Sequence, residues 1–215
     1  VSARDNILRR VREARQAAAA PTAEEARRVD ERIRARTVGP RPAVQGDLVE
    51  RFLSQCERMS STVARVACLE DVPGSVSAFL SGKGLPLQAA AWPAVAALPW
   101  DAAGMHVQAR PARGDDLVGI TGVHLAIAET GTLMLLSGPD THPVTSLLPE
   151  THVAIVPADR IEPAMEEAWA RTRRETGALP RAVNFVSGPS RTADIEGQLQ
   201  IGAHGPFRVH VVVVG

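Results

Sequence analysis

Several residue types are scarce. Among 215 residues there is no tyrosine, a single lysine (Lys83) and two cysteines, Cys56 and Cys68. The surplus of arginine and alanine over lysine and tyrosine reads as genomic base bias, not mechanism. Two cysteines cannot build a disulfide framework. Eleven residues lie between them, which matches no iron–sulfur spacing, so both are expected to be ordinary buried or half-buried thiols. Excess charge is lacking too. The formal net charge is +0 and the pI about 7.2, so nothing global points to nucleic acid or a membrane surface. No apolar run approaches the ~20 residues that span a bilayer, and Val1 to Arg15 lacks the apolar core of a leader peptide. The chain is expected to be soluble and cytoplasmic.

Familiar chemical motifs are also missing. There is no P-loop, no G-x-G-x-x-G after a strand, no H-E-x-x-H, no paired C-x-x-C and no serine in a nucleophile-elbow context. No metal and no cofactor are expected of this chain. Of the six histidines, His106, His124, His152 and His210 sit in apolar or strand contexts, where a satisfied core histidine is the default. His142 and His204 lie in loops and are the better candidates for chemistry.

What is present is centred on Gly119 to Leu136, a stretch almost free of charge. Its one acid, Glu129, is followed by Thr130-Gly131-Thr132 and by the apolar run Leu133-Met134-Leu135-Leu136, which Ser137-Gly138-Pro139 closes. An apolar run bounded by turn residues reads as a buried strand. A carboxylate beside it is costly unless paired, hydrogen-bonded or protonated. Glycines and hydroxyls crowd around this acid, which favours a functional reading over a capped turn.

The rest alternates short apolar β-rich runs with amphipathic helices. Residues 4 to 36 read as two helices with thin apolar stripes, Thr22 and Glu25 forming a capping box for the second. Thin-faced helices usually pack on a partner. A nucleic-acid arm is the alternative, though acids interspersed among the arginines weaken it. Thr37 to Pro42 reads as a linker, so residues 1–45 are expected to be a helical arm and 46–215 the main domain. There, helices are expected over 46–59, 75–80 and 161–174. Strands are expected at 63–69, 87–95, 107–109, 133–136, 153–156, 183–186 and 209–214, the last buried on both faces. This pattern predicts an α/β fold with a mostly parallel sheet covered on both sides.

The tripeptide Ser-Gly-Pro closes two strands, at Ser137 and at Ser187. If those strands are parallel, both turns share the carboxyl edge of one sheet, where open α/β sheets bind ligands. The second copy continues Ser190-Arg191-Thr192-Ala193-Asp194-Ile195-Glu196, with hydroxyls and a guanidinium ahead of an expected helix start. That combination suits an anion.

Taken together, Gly119-Ile120-Thr121-Gly122, Ala126 to Thr132, Ser146 to His152, Ser187 to Glu196 and Gly202-Ala203-His204-Gly205-Pro206 resemble the LUD-domain proteins, in particular their lactate-utilisation C-type branch. The likeness runs from about residue 46 to the end, with the SGPSRTADIE segment its most specific part. It implies a Rossmann-like fold of the NagB/RpiA/CoA-transferase type. It also implies work with two partner subunits, at least one carrying iron–sulfur clusters, in oxidising L-lactate to pyruvate. On that footing Glu129 is the candidate catalytic base. Thr130, Ser187, Ser190, Arg191, Thr192, Asp194 and His204 are the candidate binding residues for a small carboxylate, with Arg191 gripping it in bidentate fashion. Two alternatives compete: a non-catalytic assembly subunit, and a CoA-transferase- or phosphosugar-isomerase-like enzyme using Glu129.

Overall fold

The computed structural model describes residues 2–215 except 18–20, 41–42 and 196–197; for 16–17, 193–195 and 198–199 it describes the backbone alone. Arg41 and Pro42 of the expected linker therefore lie outside the described residues. The chain divides into two compact units, Val1–Pro42 and Ala43–Gly215.

The first unit holds helices α1 (Ala3–Ala17) and α2 (Ala23–Ala35). Thr22 caps α2 through the Glu25 amide, and the Glu25 carboxylate returns to the Thr22 amide, closing the expected capping box. Neither stripe is covered: Ile7 is 61% and Ile33 66% exposed, and α2 buries none of its residues.

The second unit opens with α3 (Leu48–Arg58), started by Asp47, whose carboxylate accepts from the Val49 and Glu50 amides. There follow β1 (Thr62–Val66), α4 (Val72–Gly82), β2 (Gln88–Ala91), α5 (Pro93–Ala96), β3 (His106–Ala109), β4 (Val118–Thr121), β5 (Leu125–Ile127) and β6 (Thr132–Leu136). Then come α6 (Val144–Leu147), β7 (Thr151–Pro157), β8 (Ile161–Glu162), α7 (Met165–Thr176), β9 (Val183–Val186), β10 (Arg191–Ile195), β11 (Gln198–Ile201) and β12 (Arg208–Val214). Six strands form one sheet in the order β1-β12-β7-β4-β2-β3, with every pairing parallel. A second sheet, β8-β5-β6-β9, is mixed, and β10 and β11 pair as an antiparallel ribbon.

Strand alternation explains the layers. Along β12, Val209, Val211 and Val213 face one side, with Phe52 and Cys56 of α3 and Ala126 and Leu133 of the second sheet. Val212 faces the other, with Val72, Val76 and Leu80 of α4 and Trp100. β7 divides likewise, Ala154 and Val156 against Val153 and Ile155. The far face of the second sheet, Leu125, Ile127 and Met134, is closed by Ala168 of α7. β12 is thus buried on both faces, as its run of valines requires. Each fully buried apolar side chain contributes about 1.5–3 kcal/mol.

Some expectations need correction. The strand expected over 87–95 stops at Ala91, because Pro93 cannot donate to a ladder and instead opens α5. The helix expected from Ile161 begins at Met165; Ile161–Glu162 is a strand, and Pro163 separates the two. The Ser146–Pro149 corner is partly helical, in α6. Cys68 is exposed, and so is His106, on an edge strand. The strands ahead of the two Ser-Gly-Pro turns are antiparallel neighbours, Leu133 opposite Val186 and Leu136 opposite Val183. Ser137 and Ser187 therefore stand at opposite ends of the pair. Finally, Arg191 to Ile195 starts no helix. It is a strand of the β10–β11 ribbon, in keeping with the alternating Gln198-Leu199-Gln200-Ile201 opposite it.

Candidate functional site

The antiparallel pairing of β6 and β9 brings the start of one strand beside the end of the other. Thr132 and Ser187 meet there by hydrogen bond, and Thr130 Oγ1 lies 2.7 Å from Thr132 Oγ1. The turn that Glu129 opens is thus tied to Ser187 by a row of three hydroxyls. The two Ser-Gly-Pro turns do not meet, yet the Glu129 turn and the second of them do.

Both segments press on the end of α3. Gly131 has φ +64°, and a Cβ there would come within 2.6 Å of the Cys56 amide nitrogen. Cys56 itself is buried, its Sγ 3.6 Å from the Gly131 carbonyl, and burial pushes its thiol pKa up to about 12. It is no nucleophile. Gly188 has φ +80°, and its Cβ position lies 2.1 Å from the Met59 carbonyl oxygen. Only glycine permits either approach. Arg191 donates to that same Met59 carbonyl at 3.0 Å and to the Ser60 hydroxyl. Its guanidinium is spent on the helix end, not on Glu129. Among the described residues, no hydrogen bond or ion pair reaches the half-buried Glu129 carboxylate.

The helix end that receives these contacts is itself unusual. The Ser60 amide bonds the Glu57 carbonyl at 2.8 Å, and the Ser61 amide bonds the Cys56 carbonyl at 2.9 Å. This double closure normally carries glycine at its left-handed position. Here that position is Ser60, at φ 67°.

Beyond Ser60 lies a cleft of about 150 Å³ at the amino edge of β1 and β12, lined by Ser60, Thr62, Lys83, Pro189, Phe207 and Arg208 among others. Pro189 belongs to the second Ser-Gly-Pro turn. Lys83 caps the end of α4. The Arg208 guanidinium carbon sits 4.8 Å from the centre of the Phe207 ring. Its Nη1 is shut away from solvent without a hydrogen-bond partner, 3.9 Å from a Glu150 oxygen. Thr62 Oγ1 is 2.9 Å from His210 Nδ1, and the His210 ring stacks on Phe79 with centroids 3.8 Å apart. Burial lowers the His210 pKa to about 4, so the ring is neutral. The cleft is therefore lined by two cationic side chains, one of them paired at 3.9 Å with Glu150 outside the lining, and by two hydroxyl-bearing ones. That set suits a small anion.

The remaining candidates lie around it. The Ser190 amide bonds the Pro206 carbonyl, the Ser190 carbonyl accepts from Gly202, and Gly205 packs against the Ser190 side chain. His204, exposed, stands on that same loop. Thr192 is half-buried in β10 and held there by its own contacts. Asp194 belongs to β10, its side chain outside the described residues. No motif or spacing in the sequence singles out Ser60, Thr62 or Arg208; Lys83 stands out there only as the one lysine. Among the described residues, no three His, Cys, Asp or Glu side chains group as metal ligands, and no helix is long and apolar enough to cross a membrane.

Residues 101–214 match the family model described as LUD domain. The chain is 38% identical over 118 residues to lactate utilization protein C of Bacillus licheniformis, covering 54% of this chain and 49% of that one. It is 40% identical over 100 residues to the protein of that name from Bacillus subtilis, covering 45% and 42%. The chain spans about half the length of the curated relatives it matches. The crystal structure of a DUF162 family protein from Deinococcus radiodurans superposes with a TM-score of 0.59 at 24% identity, over 81% of this chain and all of that one, and shares the fold. The matched family region holds the Glu129 turn, the Ser187–Arg191 segment and Arg208, while Ser60, Thr62 and Lys83 precede it.

Proposed function

The chain belongs to the LUD-domain family, and from that premise we propose that it serves lactate utilisation by binding a small carboxylate in the cleft between the end of α3 and the Ser187-Gly188-Pro189 turn. The observation that carries this reading is the convergence of Lys83 and Arg208 with the hydroxyls of Ser60 and Thr62 in one small cleft. Lys83 supplies a mobile point charge, and the fixed Arg208 fork orients the carboxylate. Arg191 serves at one remove, holding Met59 and Ser60 in place.

The reaction is oxidation of L-lactate to pyruvate within a complex. It removes two protons and two electrons. Glu129, on the neighbouring turn, is the proposed base for the hydroxyl proton, while the Cα hydrogen and its two bonding electrons would leave to an oxidant outside this chain, on a partner subunit whose iron–sulfur clusters would carry the electrons onward. The names of the relatives support the lactate assignment.

Titration of the purified chain with L-lactate, D-lactate and pyruvate, followed by calorimetry, tests the binding claim. Lys83→Ala is expected to weaken carboxylate binding about tenfold or more, the scale of one hydrogen bond to a charged group. Glu129→Gln is expected to spare binding while abolishing turnover of the assembled complex. If none of the three acids binds, or Lys83→Ala binds them as well as the parent chain, the cleft is not the site.

A further inference from the structure

A second cavity, of about 190 Å³, lies across the sheet from the anion cleft. It opens just beyond the carboxyl ends of β2 and β3, the edge where parallel α/β sheets hold ligands. Its wall includes Trp92, Arg110, Pro111, Pro139, His142 and Thr145.

The walls are pinned. The Trp92 amide bonds the Ile120 carbonyl at 3.1 Å, and its indole Nε1 donates to the His142 carbonyl at 3.1 Å. The Arg110 amide bonds the Ala91 carbonyl at 3.2 Å. Gly119 lets α6 seat against β4: a Cβ there would lie 2.1 Å from the Thr145 carbonyl oxygen. Thr145 is therefore fixed, fully buried, and its hydroxyl has no hydrogen-bond partner. Such a group costs free energy unless something satisfies it.

The guanidinium in this cavity is already neutralised, and its one lining carboxylate, Asp140, is solvent-exposed. Arg110 donates to both Asp116 oxygens at 2.6 and 2.7 Å, to Gln108 at 2.7 Å and to the Pro111 carbonyl at 3.1 Å. Those four bonds occupy four of its five N–H donors. What the guanidinium has left to offer is its flat face, which stacks on planar rings. With an indole, three prolines and one orphaned hydroxyl beside it, and Asp140 to repel anions, the cavity lacks the Lys83 and Arg208 cations of the anion cleft.

We propose that this cavity is a second ligand site and that it takes an uncharged planar nitrogen heterocycle. The ring lies against the Arg110 face and the Trp92–proline wall, and a ring or amide heteroatom pairs with Thr145 Oγ1. The assignment is independent of the carboxylate site.

Nicotinamide and adenosine are the probes, titrated into the full chain with saturation-transfer NMR and tryptophan fluorescence as readouts. At least one is expected to bind saturably and perturb the fluorescence. Thr145→Val, which keeps the shape and removes the hydroxyl, is expected to weaken binding about tenfold. Ala109→Trp fills the cavity from an exposed strand end and is expected to abolish binding; it carries the test should Thr145→Val not fold. Lys83→Ala is expected to change nothing. Failure of both probes to bind, undiminished binding by Ala109→Trp or by folded Thr145→Val, displacement by inorganic phosphate, or loss of binding in Lys83→Ala would each overturn the proposal.

Discussion

Ser60 is where stability and site geometry pull apart. A left-handed backbone costs an L-residue about 1–2 kcal/mol, and glycine would avoid most of that. Serine stands there at φ 67°, and its hydroxyl accepts from Arg191 and lines the anion cleft. Strain retained at a site that uses the side chain fits a functional trade-off. Ser60→Gly is accordingly expected to raise stability by about 1 kcal/mol, a rise in Tm of about 2–4 °C for a chain of this size, while weakening carboxylate binding several-fold. A thermal melt and a lactate titration on the same variant check both halves; a variant with unchanged binding would leave the hydroxyl without its assigned role. Nothing in the sequence marks Ser60. The closure that makes it left-handed depends on where α3 stops, and Met59-Ser60-Ser61 holds no glycine to signal it.

Among elements, the telling contact is a turn against a helix end. The Ser187-Gly188-Pro189 turn was legible as important, and so was the Glu129 loop, because glycines and hydroxyls cluster in both. A parallel arrangement would have brought the two Ser-Gly-Pro turns together; β6 and β9 are antiparallel instead, which separates Ser137 from Ser187 and joins Thr132, beside Glu129, to Ser187. Short apolar runs such as Leu133–Leu136 and Val183–Val186 carry no direction, and direction decides which ends meet. The state of β10 is not legible locally for a related reason: Arg-Thr-Ala-Asp-Ile has no strong period of its own, and its partner β11 determines its state. Gly188 tests this docking. At φ +80° and with Met59 O 2.1 Å from its Cβ position, Gly188→Ala is expected to cost about 2 kcal/mol or more and to speed amide exchange at Ser60 and Ser61. Gly74→Ala, at an exposed position of helix α4 with nothing within 4 Å, is the control and is expected to stabilise by about 0.5–1 kcal/mol.

At the scale of the whole molecule, the mostly parallel α/β architecture was legible, because valine-rich runs such as Val209–Val214 can only be buried on both faces. The separation of β5, β6, β8 and β9 into a second sheet was not, since it rests on long-range pairing. One consequence of burying the main sheet on both faces is a pH dependence. His152 of β7 and His210 of β12 lie on opposite faces, 0% and 3% exposed. Each has one nitrogen bonded to a threonine hydroxyl, at 2.8 and 2.9 Å, and the other without a partner. Burial lowers both from 6.5 to about 4. The folded state thus resists protonation, while the unfolded chain accepts protons once pH drops below about 6.5. The stabilisation is fully present above that pH, is lost as pH falls from 6.5 to 4, and stays lost below. Each histidine accounts for roughly 3 kcal/mol across that window. Glu175, held down to about 2 mainly by Arg171 and also by Arg160, is a carboxylate with the opposite chemistry, and its contribution fades only from pH 4.5 downward. Urea unfolding between pH 7.5 and 4.5 should therefore show a steep fall before any carboxylate loss sets in, and His210→Gln should flatten the slope by about half. A stability flat from pH 7 to 5 would mean that neither ring is held neutral in the fold.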